Sequence, residues 1–248
     1  MVPSIVMAML GALIFLACST VPIPNADYCP HLNIVSIVNN YLPPNSNESF
    51  AHLAVGVDDF NSAVRSARIN EDLFLTVKGG LDLNEELVFS ITRFDAPDTL
   101  TVAYIASHGS PEGFVLEDEL SYDEFYKTLE ARTKGTVLLL VDSCYSGMLT
   151  DVLARHDSDR IFAITGTRDA SLERWYSETG SFSEALSQAI RLRFSPEHDG
   201  KITLGQLYDS IHDDIRDWNR NYHHRAGPIS EPGMYGPRNL VVFDYNRE

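Results

Sequence analysis

From residue 31 onward, short runs rich in Val, Ile and Leu alternate with longer amphipathic stretches, and this alternation limits the fold more than any other feature of the chain. Two strands separated by a helix-length connection run parallel, because the helix carries the chain back along one face of the sheet. Strands are expected at 32–38, 73–77, 100–107, 136–142, 160–165 and 239–244. Helices are expected at about 50–68, 82–94, 121–132, 147–156, 181–193 and 203–222. The expected fold class is therefore α/β, a mostly parallel central sheet of about six strands flanked by helices.

Several boundaries carry their own signals. Asp82, Glu85 and Glu86 fall in the first turn of one expected helix, where the positive end of the macrodipole favours acids. Ser121 and Glu124 have the spacing of a capping box at the start of the next. Pro111-Glu112-Gly113 followed by Phe114 to Leu120 reads as a short hairpin beside the third strand. No repeat, low-complexity segment or Gly/Ser/Pro tract interrupts 31–248, so that span is expected to form one domain.

Upstream, Ile5 to Cys18 is apolar and free of charge, too short to span a bilayer and of the length of a secretory signal core. Residues 1–18 read as an export signal, and 19–30, with Pro22, Pro24 and Pro30, as a linker. The run closes on Phe15-Leu16-Ala17-Cys18-Ser19, which resembles the lipobox of bacterial lipoproteins and implies a lipid anchor on Cys18. The expected location is the cell envelope, the periplasm or the exterior. Cysteines at 18, 29 and 144 are too few for a disulfide framework in an oxidising compartment, and their odd number leaves one outside any pairing. A net charge of −16 repels a phosphate backbone, so nucleic acid is not an expected partner.

The cysteine inside the strand and helix pattern is Cys144, which closes the run Val137-Leu-Leu-Leu-Val-Asp-Ser-Cys144. Another apolar strand closes on Ser107-His108-Gly109. Positions 108 and 144 are 36 residues apart, room for one hairpin and one crossover helix, so the two strands can be parallel neighbours ending on one sheet edge. In open α/β sheets that carboxyl edge is where ligands bind. A thiol with a pKa of about 8.5 is only a few per cent thiolate at neutral pH, and a neighbouring histidine is a common activator. His108 is thus the candidate base and Cys144 the candidate nucleophile. The backbone amides of Gly109 and Cys144 are the candidate oxyanion donors, and the missing Cβ of Gly109 lets substrate approach the backbone. Tyr145-Ser146-Gly147 turns the chain into a helix, leaving Cys144 near that helix's N-terminus. A His-Glu-x-x-His zinc motif is absent, and Glu197 to Thr203 lacks the alternating acids of a calcium loop. The other histidines read as solvated.

A strand ending in His-Gly, followed by one ending in Asp-Ser-Cys-x-Ser-Gly, resembles the caspase, metacaspase and legumain group of cysteine peptidases. The DSCYSG at 142–147 is nearest in motif to metacaspases and prokaryotic caspase-like enzymes, and Thr165 to Ser171 and Gly180 to Leu186 are similar to later segments of the group. The resemblance spans roughly 31–244. It implies a caspase-like three-layer sandwich and an endopeptidase that cuts peptide or protein substrates through an acyl-enzyme. It also implies that Asp142, two residues before Cys144, lines the S1 pocket and selects Arg or Lys, with Asp59 as a second pocket acid. No cofactor is required on this reading. Calcium, which metacaspases often use, would be held near Asp151. The region His31 to Tyr41 lacks the metacaspase glycine and Asn-Asp pattern, which leaves the branch of the group open. Oligomeric state is not legible. Two other outcomes share these residues: a catalytically silent binding or scaffold protein at the cell surface, and a transpeptidase using the same pair.

Overall fold

Strands covered by helices on both sides must be apolar on both faces, and the central segments of this chain are. The computed structural model describes residues 29, 31–39, 51–69, 71–79, 84–115, 120–168, 181–193, 200–226 and 231–244. In chain order the elements are β1 (His31–Asn39), α1 (Ala51–Ser66), β2 (Leu73–Gly79), α2 (Asn84–Thr92), β3 (Thr99–Ala106), β4 (Gly113–Phe114), β5 (Leu120–Ser121) and α3 (Tyr122–Arg132). There follow β6 (Thr136–Asp142), α4 (Gly147–Arg155), β7 (Ile161–Thr165), α5 (Ser181–Arg193), β8 (Lys201–Thr203), α6 (Leu204–Ala226), β9 (Gly233–Tyr235) and β10 (Val241–Asp244).

The main sheet has the order β2-β1-β3-β6-β7-β9, parallel throughout except for β9, which runs antiparallel to β7. Alternation along each strand feeds two separate cores. Leu100, Val102 and Tyr104 of β3 and Leu138 and Leu140 of β6 pack with Val57 and Phe60 of α1, Phe182 and Leu186 of α5 and Ile211 of α6. Ala103 and Ile105 of β3 and Val137, Leu139 and Val141 of β6 pack with Leu87 and Val88 of α2, Phe125 and Leu129 of α3 and Leu149 and Val152 of α4. The result is the three-layer α/β/α sandwich that the motifs implied.

Local signals act where expected. Ser121 Oγ accepts a hydrogen bond from the Glu124 N–H at 3.2 Å, capping α3, and Glu85 and Glu86 occupy the first turn of α2. The hairpin after the third strand forms as β4 paired antiparallel with β5, Phe114 opposite Leu120. Its tip, 116–119, lies outside the described residues, as do residues 1–28 with the apolar run and Cys18. Cys29, in the proline-rich stretch, is half-buried and packs against the core shared by α1, α5 and α6.

The last strand departs from expectation. Residues 241–244 do form β10, but it pairs antiparallel with β8 in a separate two-stranded sheet, Val241 opposite Thr203. The sixth place in the main sheet goes to β9, which sequence reading passed over. Its three residues lie between Pro232 and Gly236 and carry little strand signal of their own. What holds it is tertiary: Tyr235 OH donates to the Ser158 carbonyl at 2.9 Å, and Gly233 lies so close to β7 that a Cβ there would fall 2.6 Å from Thr165 Oγ1.

The turn feeding β6 depends on one buried acid. Asp95 Oδ2 accepts from the backbone N–H groups of Lys134 and of Gly135, the latter at 3.0 Å, across about forty residues of sequence. Removing it strands two amides, each costing about 1–3 kcal/mol if left unpaired. Asp95→Ala is expected to destabilise the protein by about 2–4 kcal/mol, a fall in Tm of roughly 5–12 °C at this chain length. Thermal unfolding followed by circular dichroism checks this.

Candidate active site

The pairing of β3 with β6 sets the site. Leu100 lies opposite Thr136 and the register runs unbroken to Ala106 opposite Asp142. Two residues beyond that last pair, on one carboxyl edge, stand His108 and Cys144. The backbone continues the match, since Ser107 N–H donates to the Asp142 carbonyl at 3.1 Å. Both residues are half-buried.

The His108 loop is held from two sides. Its carbonyl accepts from the Val115 N–H at 3.0 Å and from Ser107 Oγ at 3.0 Å. Asn39, buried at the end of β1, donates its Nδ2 to Ser107 Oγ at 3.2 Å and to the Val115 carbonyl at 3.0 Å. A bridge between Gly109 and Phe114 ties the loop to the hairpin. The bonds flanking that bridge use His108 O and Ser110 N, so the Gly109 amide is directed away from the hairpin.

The Cys144 turn is tight. Tyr145 adopts φ 58°, a left-handed conformation that costs a side-chain-bearing residue about 1–2 kcal/mol, and the chain enters α4 at Gly147. Ser146 makes no cap of its own for α4. Thr167 supplies it from the loop after β7: its Oγ1 accepts from the Gly147 N–H at 2.9 Å, and its N–H donates to Ser146 Oγ at 3.2 Å. Ser146 and Thr167 are both fully buried, so the turn is braced where solvent cannot compete.

The two loops touch. A Cβ on Gly109 would lie 2.0 Å from the Cys144 carbonyl oxygen and 2.4 Å from Ser143 Oγ. Only glycine lets the His108 loop and the Cys144 turn approach this closely.

Asp142 is 1% exposed and points to the α1 and α5 layer, where Tyr104 OH donates to its Oδ2 at 2.6 Å. Tyr104 is itself stacked on Phe60 with ring centroids 4.8 Å apart, and a Cβ on Gly56 would meet its hydroxyl at 3.1 Å. Asp59 lies one turn beyond Gly56 on α1 and is half-buried; its backbone carbonyl accepts from Arg191 Nη2 at 3.5 Å. Asp151 is exposed on α4, and no group of three or more His, Cys, Asp or Glu is gathered for a metal among the described residues. An open groove of about 780 Å³ between α1 and β2 is lined by Asp58, Asn61, Arg65 and Thr76 and includes none of the motif residues. Of the expected residues, the fold thus brings His108, Gly109, Cys144 and Asp142 to one edge, with Asp59 on the flanking helix. Asn39, Tyr104 and Thr167 complete the surroundings; no local pattern assigns them a role, although Thr167 lies in the Thr165 to Ser171 segment.

With this geometry in place, the comparison with known families is decisive. The Peptidase C13 family model matches residues 58–229, well over half of the chain and the region holding both His108 and Cys144. The chain belongs to the Peptidase C13 family. By family it is a cysteine peptidase, within the group its motifs resemble, and the match carries no specific tie to metacaspases. The fold of this C13 chain is similar to that of caspase-1 from Spodoptera frugiperda, with a TM-score of 0.62 over 87% of this chain and 90% of that one. At 14% identity the likeness is one of fold. No curated protein matches the chain.

Contact between the loops is testable through Gly109. Gly109→Ala forces backbone to move at Cys144 and is expected to destabilise by about 1–3 kcal/mol, the usual cost of overpacking. Chemical denaturation checks it; a variant as stable as the parent would mean that the loops are not in contact.

Proposed function

We propose that this protein is a cysteine endopeptidase in which His108 activates Cys144 and cleavage follows Arg or Lys. The observation that carries the reading is the β3 to β6 register, which brings a histidine and a cysteine to matched positions on the ligand-binding edge of a C13 chain.

In the proposed cycle His108 takes the Cys144 thiol proton, and Sγ attacks the scissile carbonyl carbon. Charge builds on the carbonyl oxygen, facing the amides of Gly109 and Cys144. The C–N bond then breaks, and the leaving amine takes the proton from His108. Water, losing a proton to His108, attacks the thioester; the acid product departs and the thiol is restored. An amine in place of that water would give transpeptidation.

For specificity, Asp142 is the proposed floor of the S1 pocket. Its place two residues before Cys144, and its side chain turned to the α1 and α5 layer where Tyr104 OH bonds it, support this assignment. Asp59, on α1, is the proposed second acid. A carboxylate in so buried a place discriminates strongly between a cationic and a neutral side chain. We place the activity outside the cytoplasm, on the strength of the apolar run ending at Cys18, whose lipidation would hold the enzyme at a membrane.

Fluorogenic peptides ending in Arg, Lys, Asn or Asp, offered to the full chain with and without calcium, test this. The expected result is turnover after Arg or Lys, at least about 10³-fold lower in Cys144→Ala. Asp142→Asn is expected to cut the preference for Arg over Asn by about tenfold or more. Turnover confined to Asn or Asp would retain the mechanism and remove Asp142 from the pocket. No turnover on any substrate would favour the silent scaffold.

A further inference from the structure

Tyr122, the first residue of α3, lies between the His108 loop and the Cys144 turn. Its side chain is 1% exposed. Toward the His108 loop, its ring stands edge-on to Phe114, centroids 5.1 Å apart, and its N–H donates to the Glu112 carbonyl at 3.1 Å. Phe114 is the residue bridged to Gly109. Toward the Cys144 turn, the Tyr122 hydroxyl faces the side chain of Ser143. Ser143 Oγ in turn donates to the Cys144 carbonyl at 3.3 Å, and it is also the atom that a Cβ on Gly109 would strike.

The hydroxyl itself is fully buried and makes no hydrogen bond of normal geometry. A group of that kind is costly, and each one in a native structure calls for an explanation. Burial pushes its ionisation well above the usual tyrosine range, and the charge of Cys144 adds to the effect while Ser143 opposes it. The phenol is therefore a neutral donor throughout the working range, within electrostatic reach of the sulfur. Filling this corner of the core needs only a ring. The oxygen asks for a separate reason.

We propose, on the reading of His108 and Cys144 given above, that Tyr122 is a positioning residue: its O–H bonds to Ser143 Oγ when Cys144 is ionised, and Ser143 then fixes the Cys144 carbonyl against Gly109. The gap so fixed is the one across which the two oxyanion amides must face the substrate. A hydroxyl that completes its bond only in the charged state stabilises that state and the transition state after it, without contributing to ground-state binding. Phenylalanine keeps the packing and loses the donor.

The test uses the full chain as Tyr122→Phe, Ser143→Ala and the double variant. Three quantities are read: Tm, kcat and KM on the best Arg or Lys substrate, and the pH midpoint of Cys144 alkylation by iodoacetamide, mapped by peptide mass so that Cys18 and Cys29 are scored apart. Tyr122→Phe is expected to hold Tm within about 2 °C or raise it, since an unpaired buried hydroxyl is removed. Its kcat should fall about tenfold with KM within about twofold, and its alkylation midpoint should move to higher pH. Ser143→Ala should behave alike, and the double variant no worse than the weaker single, because the two act in series. Unchanged kcat and unchanged midpoint in Tyr122→Phe would overturn the proposal, as would independent losses accompanied by a lowered Tm. If the parent protein cleaves no peptide, the peptidase reading fails, and the alkylation midpoint alone decides the role of Tyr122.

Discussion

The in-register pairing of β3 with β6 is the interaction on which the rest of the site depends. A slip of one residue in either strand would send every side chain to the opposite layer, placing Leu138 and Leu140 where Val137, Leu139 and Val141 now pack. Burial on both faces makes that exchange costly, since each large aliphatic side chain contributes about 1.5–3 kcal/mol on leaving water. The relative height of His108 and Cys144 is thus set by the packing of two apolar strands, well before any contact between the residues themselves. Side chains borne on loops are placed accurately only when the scaffold beneath them is rigid, and here the scaffold is the middle of the sheet.

Three contacts refine what the register begins, two of them supplied from distant parts of the chain. Asn39 at the end of β1 holds the His108 loop through Ser107 and Val115. Thr167 after β7 caps α4 and so fixes the exit of the Cys144 turn. Gly109 lets the two loops close on each other. The strain at Tyr145 is tolerated because Ser146 and Thr167, both buried, hold the residues that follow it.

Much of this was legible in the sequence, for identifiable reasons. Thr136–Asp142 is apolar on both faces and forms where its run of aliphatics begins and ends; α3 starts where Ser121 and Glu124 announce it. The His-Gly and Asp-Ser-Cys motifs could be assigned to strand ends because strand ends are themselves visible. What escaped depends on contacts between distant residues. β9 exists because Tyr235 and Gly233 fit against Ser158 and Thr165, and β10 leaves the main sheet because β8 is available to pair with it. Asn39 and Tyr122 look like ordinary polar or aromatic residues until the fold brings them to the site, and Thr167, though in a segment the motifs had marked, shows its capping role only in the fold.

The central claim is that His108 and Cys144 act as one unit. A peptide ending in Arg and carrying an acyloxymethyl ketone forms a thioether with an activated cysteine, and digestion with mass mapping identifies the modified residue. The account predicts the adduct on Cys144, formed at least about 100-fold more slowly in His108→Ala, in line with the contribution of a positioned base. Modification at Cys29, or equal rates with and without His108, would contradict it.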